Sequence, residues 1–292
     1  MALNIAYSPC PNDTFVFHAW AHGLIPGAPE LNVTYADIDI TNKWAAKGEG
    51  PEVLKISYAA LPYVLDEYAL LPCGGALGRG CGPLVLTKGG KEGEPPMEPA
   101  ALAGKRVAVP SDRSTAYLLF RLWAADHVPG GKLDIVVMPF HEIMPAVRDG
   151  LIDAGLVIHE ARFTYPNYGL QLMQDLGSWW ESDTGLPIPL GAIIARRSMD
   201  IASLARWARA SVEYAWAHPE QSQEYVMCHA QEMSPEVAKQ HIDLYVNEFT
   251  ANLGEDGYAA VSALLNRAAD EGLVPRVDPK KLLWQENSEP VR

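Results

Sequence analysis

The chain has 292 residues, 48% of them hydrophobic and 20% charged, with 36 Asp+Glu against 23 Lys+Arg and a formal net charge of −13. That hydrophobic share excludes a chain kept unfolded by its own composition, and an acidic chain without a Lys/Arg-rich block excludes a nucleic-acid binder. A length near 300 lies where a single core stops growing, which predicts one large domain or two smaller ones.

The first residues, Ala2 to Tyr7, lack the basic start and long apolar run of a secretory leader, and Pro9 and Pro11 interrupt them. No run approaches the ~20 apolar residues that cross a bilayer. A soluble, cytoplasmic protein with no membrane partner is expected. The four cysteines, Cys10, Cys73, Cys81 and Cys228, form no C-x-x-C pair. They read as buried or half-buried thiols in a reducing compartment.

Taken in chain order, residues 3–7 predict a strand that ends in the turn-rich run Ser8-Pro9-Cys10-Pro11-Asn12-Asp13. Asn12 or Asp13 then caps a helix running to about Gly23. Residues 31–40 read as a second strand, and Thr41 caps a helix that Gly48 stops. Residues 53–57 form a third strand, followed by an apolar helical stretch over 58–65. Five of the nine residues from Gly74 to Gly82 are glycine, which marks a loop, and 83–87 is the next strand. The Gly- and Pro-rich stretch 88–99 reads as an exposed linker. A second β-α-β-α-β run follows. Its strands are 106–109, 134–138 and 154–158, its first helix opens at Ser114-Thr115-Ala116, and its second covers 141–149. Residues 191–195 form an exit strand, 201–272 are helical, and the tail from Val274 is irregular. Alternating strands and helices predict a mainly parallel sheet with helices on both faces.

This order predicts an α/β protein of two lobes with a cleft between them. The larger lobe is discontinuous, 1–109 with 192–292, and the smaller, 110–191, is inserted into it. Such a cleft suits a small molecule, lined by strand ends and helix starts.

The candidate site residues follow from those positions. Ser114, Thr115 and Ala116 open a helix after a strand, where backbone N–H groups and two hydroxyls can hold a carboxylate. Plain capping of a structural helix is the ordinary alternative. Lys55, Ile56 and Ser57 end a strand at the matching junction of the first lobe. His159 follows a strand directly, with Glu160 and Arg162 next. A histidine there can serve as a general base, or be a buried residue satisfied by a carbonyl. Arg79 in the glycine loop is a candidate anion contact, and Asn12, Asp13, Arg79, Ser114 and Arg162 are candidate contacts in the cleft. His18 and His22 share a helix face but lack the glutamate of a zincin motif, so no metal is assigned. His127, His141, His218, His229 and His241 read as helix-terminal or surface residues. There is no G-x-S-x-G and no G-x-x-x-x-G-K-[ST].

Four stretches carry more than a pattern. Ser8-Pro9-Cys10-Pro11-Asn12-Asp13-Thr14-Phe15, Lys55-Ile56-Ser57-Tyr58-Ala59-Ala60, Gly74-Gly75-Ala76-Leu77-Gly78-Arg79-Gly80 and Ile158-His159-Glu160-Ala161-Arg162-Phe163-Thr164-Tyr165-Pro166 together resemble the 1,4-dihydroxy-6-naphthoate synthase family of menaquinone biosynthesis. The likeness also covers Gly185-Leu186-Pro187 and Tyr245-Val246-Asn247. It implies a periplasmic-binding-protein-like (type II) fold used as a carbon–carbon lyase. The implied reaction, on the futalosine route, converts cyclic dehypoxanthinyl futalosine to 1,4-dihydroxy-6-naphthoate and dihydroxyacetone without a metal or redox cofactor. The resemblance places the base on His159 and substrate contacts on Lys55, Ile56, Ser57, Thr115 and Ala116. Two other readings are kept beside it. One is a non-catalytic binding protein for a small aromatic carboxylate, which predicts a signal peptide or lipid anchor. The other is the sensor unit of a transcription regulator, disfavoured because the first strand starts at Leu3. The oligomeric state is left open.

Overall fold

A computed structural model describes residues 2–89, 97–230 and 234–283. Its first elements are β1 (Leu3–Tyr7), α1 (Pro11–Ala21), β2 (Leu31–Tyr35), α2 (Ile38–Lys47), β3 (Val53–Ser57), β4 (Tyr68–Leu70) and β5 (Ala76–Gly78). Then come β6 (Leu84–Lys88), β7 (Arg106–Val109), α3 (Thr115–His127), β8 (Asp134–Val137), α4 (Phe140–Arg148), β9 (Ala154–Val157), α5 (Ala161–Thr164), β10 (Leu170–Asp175) and α6 (Leu176–Thr184). The chain ends with β11 (Ile188–Arg196), α7 (Ile201–Ala217), α8 (Gln223–His229), α9 (Pro235–Tyr245), α10 (Glu248–Ala251), α11 (Gly254–Asp270) and α12 (Pro279–Leu282). Residues 1–78 with 189–292 form one compact unit and 79–188 a second.

The first unit is built on a sheet of order β2-β1-β3-β11-β4, with β5 paired to β11. Strand β1 runs parallel to β2 and β3, whereas β11 is antiparallel to β3 and β4. Helix α1 buries every residue from Pro11 to Trp20. A helix buried all round must be covered all round, and α1 packs against α7, α8 and α9. Its Phe15, Phe17 and Trp20 share a core with Ile5, Tyr7, Leu204, Ala208 and Val212. Ser211 of α7 is fully buried there and is satisfied by α1, donating to the Val16 carbonyl at 2.6 Å.

The second unit holds a sheet of order β10-β6-β9-β7-β8. Strand β7 is parallel to β8 and β9, and β6 is antiparallel to β9 and β10. Helix α4 closes its core with Ile143 and Val147 against Leu84, Leu86, Ala108 and Val157.

Several sequence expectations are corrected. The division at Gly78/Arg79 falls well before Val109, because β6 and β7 pair in the second sheet and not in the first. Both sheets are mixed, since β4, β6, β10 and β11 return antiparallel to their neighbours. Local order alone does not show such long-range pairing. Strand β10 and helix α6 were not read at all. Helix α1 starts at Pro11 after Cys10, so Asn12 and Asp13 lie inside its first turn and do not cap it; proline at the first helical position pre-sets φ for the start. Helix α2 begins at Ile38 after Asp37, which places Thr41 and Asn42 inside it, both buried. Of the stretch 88–99, residues 90–96 lie outside the described residues, as do 284–292 of the tail.

Among the described residues no helix is long and apolar enough to cross a membrane. Cys73 and Cys81 are buried, Cys10 is half-buried, and Cys228 is exposed against expectation. Burial pushes the Cys73 and Cys81 thiols up to about 12. Because the thiolate is the reactive form, a thiol reagent at pH 7 should label Cys228 within minutes and leave Cys73 and Cys81 until the chain is unfolded. Mass mapping of the labelled cysteines checks this.

Candidate active site

In the first unit the site begins at the ends of two adjacent parallel strands. Strand β1 leads into Ser8 and the start of α1, and β3 ends at Ser57. Along β3 every residue is buried, and strand alternation sends Val53, Lys55 and Ser57 to one face and Leu54 and Ile56 to the other. Lys55 therefore places a cation in a nearly dry strand, 5% exposed. A charge buried this far is tolerated only when paired, and the Lys55 ammonium donates to Asp13 Oδ1. Asp13 also accepts from Ser8 Oγ at 2.7 Å and from Asn12 Nδ2 at 2.8 Å. Asn12 Oδ1 in turn meets His241 Nε2 of α9 at 3.0 Å. The stem of Lys55 passes over Gly191, where a Cβ would lie 2.8 Å from Lys55 Cε. Ser57 is held by Asn42 of α2, whose Oδ1 accepts from the Ser57 backbone N–H at 2.8 Å and whose Nδ2 donates to Ser57 Oγ at 3.0 Å.

The second unit carries the other candidates at one edge of its sheet. Strands β7 and β9 are parallel neighbours, so the segments leaving their C-terminal ends emerge on the same side. After β7 comes Ser114, the N-cap of α3, whose Oγ accepts from the Tyr117 N–H at 3.2 Å. Thr115 and Ala116 occupy the first helical positions and are buried. A helix leaves its first-turn N–H groups without intrahelical partners, at the positive end of its dipole.

After β9 comes His159. Among the described residues it is the one non-glycine with positive φ, at +54°. This left-handed backbone costs a non-glycine residue roughly 1–2 kcal/mol. Its carbonyl accepts from the Arg162 N–H at 3.3 Å, closing the turn into α5. Phe140, the first residue of α4, meets the imidazole edge-on, with ring centroids 5.8 Å apart and an interplanar angle of 84°. The approach of α4 depends on Gly155, where a Cβ would lie 2.6 Å from Ile143 and 3.0 Å from Val147.

Two candidate cleft contacts, Arg162 and Arg79, have partners within the protein. Arg162 donates to the Gly82 carbonyl at 2.8 Å and pairs with Asp175 at 2.5 Å. Asp175 in turn caps α6. Arg79 donates to the Gly185 carbonyl at 3.0 Å and lies 3.9 Å from Glu181. The His18 and His22 rings lie 4.4 Å apart at a tilt of 36°, with the His22 Nδ1 against the His18 carbonyl. Burial first, and the neighbouring His22 second, hold His18 below the usual histidine range. No group of three or more His, Cys, Asp or Glu among the described residues could hold a metal ion. The sequence reading missed Asn42 and His241. His241, expected near the surface, is 1% exposed. Its partner Asn12 is 229 positions away, and no local signal marks such a pair.

A family profile described as "Menaquinone biosynthesis" matches residues 3–270. The chain belongs to this family. The chain is 70% identical over 285 residues to a protein of Streptomyces coelicolor named 1,4-dihydroxy-6-naphtoate synthase, covering 97% of this chain and 98% of that one. It is 47% identical over 275 residues to a protein of the same name from Thermus thermophilus, covering 93% and 96%. It is accordingly an enzyme of the menaquinone-biosynthesis family. A crystal structure of a protein from Archaeoglobus fulgidus superimposes with a TM-score of 0.84 at 35% identity, covering 94% of this chain and 98% of that one. The aliphatic sulphonate-binding protein of Escherichia coli matches with a TM-score of 0.69 at 14% identity, covering 97% and 92%. The fold of this menaquinone-family enzyme is therefore periplasmic-binding-protein-like, and a likeness at that identity speaks for the fold alone.

Proposed function

We propose that this enzyme is a carbon–carbon lyase that converts cyclic dehypoxanthinyl futalosine to 1,4-dihydroxy-6-naphthoate and dihydroxyacetone, with His159 as general base. The observation that carries the assignment of the base is the left-handed backbone of His159 at the end of the central strand β9. Strained backbone persists where the surroundings over-determine it, and such positions cluster at functional sites. The names of the relatives supply the product.

The chemistry asks little of a cofactor. A proton leaves the sugar-derived part of the substrate, the C–C bond to the ring breaks, and its electron pair enters a ring that becomes aromatic. Aromatisation supplies the driving force, and the substrate divides into two products without net oxidation. The protein must place a base, hold the substrate in reactive geometry and keep water away. Lys55, Ile56 and Ser57 are the contacts proposed in the first unit, and Thr115 and Ala116 those in the second. The Ile56 side chain faces away from those of Lys55 and Ser57, so its contact falls to the backbone. Ser114 serves by holding the start of α3 in place. The protein works on this reading as a cytoplasmic enzyme of the futalosine route.

Incubation of the purified protein with the cyclic substrate, followed by chromatography, tests this reading. Appearance of the naphthoate supports it. Tight binding of an aromatic carboxylate without turnover would favour a binding protein instead.

A further inference from the structure

The hydrogen-bond directions around Asp13 are fixed by chemistry. An ionised carboxylate only accepts, so Asn12 must turn its amide N–H toward Asp13 Oδ1. Its carbonyl Oδ1 then faces His241, whose Nε2 must carry the hydrogen. The order runs from His241 on α9 to Asn12, from Asn12 to Asp13, and from Lys55 on β3 to Asp13, with Ser8 donating to the other carboxylate oxygen. All five residues are buried, none more than 7% exposed. Both Asp13 oxygens are occupied, while the Lys55 ammonium has three N–H donors and gives one to Asp13.

We infer that Asp13 is a positioning residue for the reaction, which aims the Lys55 ammonium at the substrate, and that Asn12 and His241 fix Asp13 in turn. Asp13 itself does not touch the substrate. This inference rests on the proposed reading of Lys55 as a substrate contact. Several features support it. Asp13 neutralises the charge that β3 would otherwise bury alone. The glycine at 191 leaves room for the Lys55 stem to pass. Lys55 lies two residues before Ser57 on β3, so the two side chains leave the same face of the strand. Helix α9, far along the chain, thereby bears on substrate binding through two hydrogen bonds.

A double-mutant cycle on the full chain tests the inference, read as KM and kcat with the cyclic substrate. Lys55→Met and Asp13→Asn are each expected to raise KM about tenfold, the loss of one charge-assisted hydrogen bond. The combined variant is expected to show about the same tenfold increase and not a hundredfold one, because Asp13 acts only through Lys55. His241→Leu should raise KM a fewfold, His241→Gln should restore it by donating to Asn12, and neither should matter in the Lys55→Met background. A purely structural role would lower the active fraction and kcat without this pattern in KM. Should Asp13→Asn fail to fold, the His241 pair carries the same comparison. If Asp13→Asn still raised KM in the Lys55→Met background, Asp13 would be a direct contact and the inference would be wrong, with the Lys55 contact intact. If Lys55→Met left KM unchanged, the Lys55 contact would fall, and the inference with it.

Discussion

Replacing His159 with asparagine is expected to lower kcat on the cyclic substrate by about 10²- to 10⁴-fold, the usual share of a positioned general base. KM should change little, because the proposed contacts at Lys55, Ser57 and Thr115 remain. Asparagine is the sharper probe because it tolerates the left-handed backbone found at this position. Alanine would confound the result with strain of roughly 1 kcal/mol or more. The Phe140 edge contact goes with the imidazole, but the turn into α5, closed by the His159 carbonyl, should survive in the asparagine variant, which an unchanged circular dichroism spectrum and a melting temperature within a few degrees would verify. A variant retaining kcat within about threefold would place the base elsewhere.

The second large effect concerns stability. A Cβ added at Gly82 would lie 2.1 Å from the Gly177 nitrogen and 2.3 Å from its Cα, and one added at Gly177 would lie 2.7 Å from the Gly82 nitrogen. Backbone meets backbone here, so no side-chain rotation relieves the clash. The crossing is tied on both sides. Arg162 spans the Gly82 carbonyl and Asp175, Asp175 caps α6 by accepting from the Gly177 N–H at 2.9 Å, and the Leu176 N–H donates to the Pro83 carbonyl at 2.9 Å. Gly82→Ala must therefore move the start of α6 off the chain leading into β6. A loss of about 3 kcal/mol or more is expected, at the upper end for overpacking. Gly80→Ala is the control. That residue has φ of +66° but nothing within 4 Å, so only backbone strain of about 1 kcal/mol applies. Urea unfolding of the two variants measures both. Equal losses would mean that the glycine crossing is not tight.

These two predictions also mark what the sequence could and could not show. His159 is marked as a candidate by its place after an apolar strand, and Ser114 by its place before a helix, and the structure puts each at that kind of position. Both signals are local: strand periodicity, turn residues and capping chemistry lie within a few positions of one another. Strands Val53–Ser57 and Arg106–Val109 were legible for the same reason. The Gly82–Gly177 crossing was not, because a close approach between distant backbones leaves in the sequence only the last glycine of a glycine-rich loop and a lone glycine 95 positions on. The same limit hid the pairing of β6 with β9 and β10, and so the point where the chain enters the second unit. Asn12 or Asp13 suits a helix cap because both residue types often cap. Pro11 at the first helical position overrode that preference and turned Asp13 toward Lys55. For Arg79 and Arg162 the sequence shows a cation in or beside a loop but not its partners within the protein. Their carbonyl and carboxylate partners lie about a hundred residues away for Arg79, or on the far side of a strand for Arg162.

The net charge of −13 bears on how a carboxylate substrate could be held. An acidic protein repels such a ligand at long range, so attraction must come from a few local groups. Lys55 is one, but its charge is offset by Asp13. Directional hydrogen bonds from its remaining N–H donors, and from the start of α3, would then matter more than net charge at the site.

The central claim is catalytic cleavage of the cyclic substrate into two products. It is measured most directly by following both over time with the wild-type protein at low concentration. The expected result is that 1,4-dihydroxy-6-naphthoate and dihydroxyacetone appear in equal amounts, through many turnovers per protein molecule. Substrate recovered intact after prolonged incubation, or a naphthoate formed without an equal amount of dihydroxyacetone, would contradict it.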